Sequence, residues 1–135
     1  MDRHTYRAKS EDTGEWVFGS LLIDFGGESW IVGTDKIPET QDEARNVWNK
    51  VNEATIGQCT GLTGEDSAMI YEGDIVREGG SSWLWVVCWD EMTGAWMIED
   101  KDGCSSDYLY PYAGTYEVVG NEFDNPELLE SGDEE

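Results

Sequence analysis

A chain of 135 residues, 39% hydrophobic and with seven tryptophans, is sized for one domain or two small lobes around a packed core. Thirty acidic side chains against eight Lys and Arg give a formal charge of −22. That field repels nucleic acid, which proteins hold through Lys and Arg contacts to phosphate, and attracts basic surfaces instead.

The first third reads as β-hairpins. TYRAKS and EWVFGSLLIDF flank EDTGE, a turn in which Gly14 supplies a positive φ. Gly26 and Gly27 turn the chain again before SWIVG, and Trp16, Phe18 and Trp30 are expected core aromatics. In TQDEARNVWNKV, Ala44, Val47, Trp48 and Val51 recur at helical spacing, and Thr40 with Glu43 forms a capping-box pattern. This predicts one short helix over about 41–51, lying as a lid on the sheet.

The second half returns to β. MIYEGDIVR, WLWVVCWD, AWMIED and TYEVVGNEF are the expected strands. Trp83, Trp85, Val87 and Trp89 alternate with Leu84, Val86 and Cys88, so both faces of that strand are apolar and both are expected to be covered. The DEMTG turn would bring Trp89 opposite Trp96. Asn125 as N-cap and Pro126 at the first helical position predict one helical turn, PELLE, docked through Leu128 and Leu129, ahead of an acidic tail.

The longest apolar run, WLWVVCW at 83–89, is far short of the ~20 residues of a membrane helix. The N-terminal MDRHTYRAKSEDTG lacks the apolar stretch of a signal peptide. The expected setting is cytoplasmic, with no membrane contact.

Catalytic constellations are sparse. His4 is the single histidine, and no nucleophile elbow, phosphate-binding glycine loop or paired-histidine zinc motif occurs. Cys59, Cys88 and Cys104 are odd in number and lack C-x-x-C spacing, which argues against a disulfide framework and a zinc site. Cys59 and Cys88 lack basic neighbours to stabilise a thiolate and read as small core residues. EDKDGCSSD at 99–107 fails the register of an EF-hand, because Ile98 and Leu109 would stand where ligands are required. Adventitious divalent binding by Asp100, Asp102 and Asp107 stays open. No enzyme activity and no cofactor are expected.

Three groups of residues are candidates for other roles. Trp83, Trp85, Trp89, Trp96, Tyr108, Tyr110 and Tyr112 form an aromatic set suited to stacking a planar ligand, or equally to a core or subunit interface. For a phosphate-bearing ligand the nearby positive groups are Arg77 and Lys101, with Arg3, Arg7 and Lys9 as substitutes from the N-terminal lobe. Glu91, Glu99, Asp100, Asp102, Asp107, Glu122 and Asp124 would form an acidic surface. Glu72, Gly73 and Asp74 read as a structural bend, with Gly73 as a bulge and Asp74 fixing it through backbone N–H groups.

YRAKSEDTGEWVFGSLL, ATIGQCTGL, MIYEGDIV, VVCWDE and YEVVGNEFDNPELLE together make the chain resemble the YopX-like proteins of bacteriophages and prophages, in the family's order and over most of the length. Cys59 stands where that family usually has an aromatic, and TGEDSAM replaces a more basic turn. The helical segment, the acidity and the tryptophan content are also departures. The resemblance implies a mainly β fold with a small SH3-like barrel in the C-terminal half, packed with the N-terminal hairpins and one short helix. It also implies phage origin and self-assembly, and it brings no catalytic residues. The expected organisation is a hairpin lobe over 1–57, a barrel lobe over 58–125, and a helical turn with acidic tail over 126–135.

Three functions follow as expectations. The first is a non-enzymatic phage protein that inhibits a host defence factor through an acidic, nucleic-acid-mimicking surface, its partner a host protein with a basic surface. The second is an oligomeric sponge that sequesters a small signalling nucleotide among the aromatic side chains. The third is a structural assembly module, a homo-oligomer whose aromatic strand pairs with other copies. Direct nucleic-acid binding is not expected.

Overall fold

The computed structural model describes residues 5–33, 48–79, 81–100, 105–110 and 113–130. Among these the chain is mainly β. The strands are β1 (Tyr6–Lys9), β2 (Trp16–Ile23), β3 (Ser29–Val32), β4 (Trp48–Lys50), β5 (Gly57–Thr63) and β6 (Met69–Tyr71). They continue with β7 (Asp74–Glu78), β8 (Trp85–Asp90), β9 (Ala95–Asp100), β10 (Ser106–Tyr108) and β11 (Tyr116–Asn121). The helical pieces among the described residues are short 3-10 turns, Glu53–Thr55, Ala113–Thr115 and Pro126–Leu129. No helix among them is long and apolar enough to cross a membrane. The chain divides into two compact units, Met1–Cys59 and Thr60–Glu135.

In the first unit the strand order is β4-β3-β2-β1, antiparallel throughout, and β1 pairs on its other side with Gly57 and Gln58 at the start of β5. The turn after β1 closes as expected of EDTGE. The Gly14 N–H donates to the Ser10 carbonyl at 2.8 Å, and Gly14 has φ +75°. Strand alternation then sorts the side chains. Ala8, opposite Val17, shares a face with Leu21, Ile31 and Val51, and these close the core with Tyr6 and Ile56. Each fully buried aliphatic chain such as Ile31 contributes about 1.5–3 kcal/mol.

Trp16, Phe18 and Trp30 do not join that core. Lys9 pairs with Trp16, Arg7 with Phe18 and Leu22 with Trp30, which puts these aromatics on the other face of the same strands. There the Arg7 guanidinium lies 4.7 Å and the Lys9 ammonium 5.4 Å from the Trp16 ring centre. The period of two gives the core to the smaller residues between them.

The helix expected over 41–51 is corrected at its end. Residues 41–47 lie outside the described residues, but Trp48–Lys50 is strand β4, paired with β3, and Val51 bridges to Ser10. Pairing at the sheet edge satisfies the backbone there and sends Val51 into the core, while Trp48 stays half exposed with its ring 6.4 Å from Trp30. Tertiary pairing overrode the local helical period.

The second unit holds a five-stranded antiparallel sheet in the order β10-β9-β8-β7-β11, and β6 lies beside β5. Its core is Ile70, Val76, Val87, Ile98, Leu109, Ala113 and Tyr116, with Leu62, Trp85, Trp96 and Val118 packed against it. MIYEGDIVR is not one bent strand. Met69–Tyr71 ends at Glu72 and Gly73, and Asp74–Glu78 starts in a different sheet. The five-stranded order is open, with β10 and β11 at its ends and no pairing between them among the described residues. At the C-terminus PELL forms a 3-10 turn rather than an α-turn. Asn125 does not cap it by side chain; its Oδ1 accepts from the Asn121 N–H at 3.2 Å instead.

Candidate interaction surface

The register of the second unit assigns its side chains to two faces. Residues directly opposite in an antiparallel pair point the same way. Val76–Trp85–Asp100, Val87–Ile98 and Trp89–Trp96 therefore share the face that carries the core. Ile75–Val86–Glu99–Ser106 and Cys88–Met97–Tyr108 share the other. Of these, Val86, Cys88 and Met97 are half-buried, and Glu99, Ser106 and Tyr108 are exposed. The second face thus offers a soft apolar strip, Val86, Cys88, Met97 and Tyr108.

Carboxylates surround that strip. Burial raises the Cys88 thiol first, and the negative charges of Glu99, Asp90, Glu72 and Glu122 raise it further, to about 11. Glu99 faces Val86 across β8 and β9, and Asp90 follows Cys88 by two on the same strand. Glu72 and Glu122 come from turns that the Gly73 backbone ties together. The Gly73 N–H donates to the Val87 carbonyl at 2.9 Å, and its carbonyl accepts from the Glu122 N–H at 2.9 Å. Gly73 has φ +91°, and a Cβ there would stand 3.1 Å from the Phe123 ring. A side chain would therefore both strain the backbone and push this turn away.

Asp74 secures the same turn. It is 2% exposed, and its Oδ2 accepts from the Tyr71 N–H at 2.7 Å. Glu72, read from sequence as part of a bend, is therefore also a charged neighbour of Cys88. Asp90, Met97 and Cys88 were not among the candidate residues. The Trp89–Trp96 pairing held the signal for them, because that register fixes Cys88 opposite Met97.

The aromatic set is divided. Trp89 and Trp96 meet edge to face at 5.0 Å and 68°, on the core side. Trp83 precedes β8 and tilts against Trp85 at 6.4 Å, while Tyr108 is on the opposite face and Tyr110 is exposed. Tyr112 lies outside the described residues. Of the acidic set, Glu91, Glu99, Asp107, Glu122 and Asp124 are exposed. Asp100 is corrected: it is buried, on the core face opposite Trp85, and does not belong to a surface. Asp102, with Lys101 and Cys104, lies outside the described residues. Cys59 is buried and Cys88 half-buried, both as free thiols.

The charge is uneven between the units. Residues 60–135 hold 19 acidic and 2 basic side chains, a formal −17, whereas residues 1–59 hold 11 and 6, a formal −5. In the second unit the Arg77 Nε donates to Glu117 at 3.1 Å across β7 and β11. Among the described residues no group of three or more His, Cys, Asp and Glu side chains is arranged to hold a metal ion.

Comparison with known proteins adds one result: the family model described as YopX protein matches residues 5–130. No curated protein matches the chain.

Proposed function

The chain belongs to the YopX family, and on that premise we propose that it is a non-enzymatic, phage-encoded binding protein whose acidic second unit occupies a basic surface of a host defence factor. The observation that supports this most is the formal −17 of residues 60–135, within which carboxylates from two strands and two turns, Asp90, Glu99, Glu72 and Glu122, converge on the Cys88 thiol. Such a surface would stand in for phosphates against a groove of Lys and Arg, and it would steer association at low salt. An SH3-like outline for the second unit fits its four-strand meander and returning β11. A solved structure in which β10 closes on β11 would establish the barrel.

The nucleotide sponge has less support, because Trp85 and Trp96 pack against the core and Tyr108 is on the far face. A thermal-shift screen separates it from the leading reading, since ligand at ~100 times its dissociation constant adds about 2.7 kcal/mol. Self-assembly is compatible with either reading and is checked by light scattering.

The test of the leading reading is an affinity pull-down from infected cells over a range of ionic strength. Basic host proteins retained at low salt and released as salt rises support it. No basic partner at low ionic strength, or retention indifferent to salt, refutes it.

A further inference from the structure

We infer that the tip of the β8–β9 hairpin, Met92 with Trp89, is an apolar anchor that seats in a pocket rimmed by Lys and Arg on a protein partner. This rests on the acidic-surface reading above and names the contact that would add specificity to it.

Met92 is 93% exposed and Trp89 is 45% exposed. Neither is on a loose loop. The Asp90 carboxylate accepts from the Met92 N–H at 3.2 Å and from the Thr93 hydroxyl at 2.8 Å, and the Asp90 carbonyl accepts from the Gly94 N–H at 2.8 Å. Gly94 supplies the positive φ, +67°, that closes the turn. Behind it, Trp89 rests on Trp96, which is itself packed on the core cluster. The tip is therefore ordered before it meets anything, so little conformational freedom is lost on docking. An exposed Trp and a polarisable Met on a fixed turn are the side chains that carry interface energy most often and adapt to irregular pockets.

Charge identifies the occupant. Asp90 and Glu91 flank the tip, and no Lys or Arg occurs between Arg77 and Lys101. An apolar pocket on an acidic or neutral protein would be repelled or unaided, whereas one rimmed by Lys and Arg meets complementary charge at Asp90 and Glu91. An analogous tip exists in the first unit, where Phe25 is fully exposed beside Asp24. There the charge is smaller, and Lys50 pairs with Glu28 at 3.0 Å and with Glu11 at 3.7 Å, so the same selection is absent.

The experiment uses two peptide probes of equal positive charge, an oligolysine and an amphipathic Leu/Lys helix, titrated against the full chain and against Met92→Ser and Trp89→Ser. Thermal melts establish that the variants fold; Met92, being exposed, should leave the melt unchanged. The wild type is expected to bind the Leu/Lys peptide about tenfold more tightly than oligolysine, the increment of one buried apolar side chain. Both substitutions should bring that ratio towards one with oligolysine affinity unchanged. A ratio that neither substitution changes, or a wild-type ratio near one, overturns the anchor. If oligolysine fails to bind while the Leu/Lys peptide binds through the tip, the anchor stands and the acidic-surface reading falls.

Discussion

The Asp24 carboxylate accepts the Trp30 indole N–H at 3.0 Å through Oδ2, and through Oδ1 it accepts the backbone N–H groups of Gly26 and Glu28 at 2.9 and 3.0 Å. One side chain thus organises the whole β2–β3 turn and fixes the ring of a residue six positions on. The Trp30 hydrogen bond is the main cause that holds this carboxyl below its usual range, followed by the Glu28 N–H; the Gly26 N–H and the Lys50 ammonium add to them. A carboxyl lowered in the folded state stabilises fully above its unfolded value and less as pH falls through its folded value. Acid titration followed by the Trp30 indole N–H resonance should show the bond lost below the usual carboxylate range. Asp24→Asn should remove that titration, and Asp24→Ala should lower the melting temperature further by also releasing the backbone donors.

Asp74→Ala removes the buried acceptor of the Tyr71 N–H. The expected loss is about 1–3 kcal/mol, the cost of stranding a buried donor. Denaturant unfolding measures it. Asp74→Asn keeps an acceptor oxygen and should cost less. Loss of partner binding without loss of stability would instead make Asp74 a contact residue.

Gly73→Ala places a methyl group 3.1 Å from the Phe123 ring and 3.2 Å from Glu122 Oε2 on a backbone at φ +91°. The left-handed backbone alone costs an alanine roughly 1–2 kcal/mol. Unfolding midpoints should fall accordingly. The Glu122 and Phe123 amides should shift in the NMR spectrum, because the turn that holds them must move.

Cys88, held at about 11 by burial and then by Glu99, Asp90, Glu72 and Glu122, should resist alkylation at neutral pH. The pH–rate profile for iodoacetamide, read at this residue by mass spectrometry, should have its midpoint near that value. Glu99→Gln should shift it downwards, as should added salt, which screens the carboxylates but leaves the effect of burial. A midpoint insensitive to both would show that the carboxylates do not converge on the thiol.

Much of the strand content was legible in the sequence, because hairpin turns carry their own signals. Gly14 and the DEMTG segment sit where the chain reverses, and Trp89 pairs with Trp96 as the spacing required. Trp48 shows the limit. Its helical period with Val51 is real, yet the pairing with Val32 places it in a strand. The acidic character of the second half was equally plain, but not that Asp100 is buried while Glu72 joins the charges acting on Cys88.

The sequence by itself determined the β class, the positions of the turns and the excess of negative charge, because these depend on local φ preferences, the period of two and residue counts. Only the tertiary structure decided which face each strand buries and which sheet each strand joins. Both depend on register, and register is settled by pairings between residues far apart in the chain. Gly73 shows this best. Locally it is a bend between two carboxylates; in the fold it is the point where the chain leaves one sheet for another, tied to Val87 on one side and Glu122 on the other.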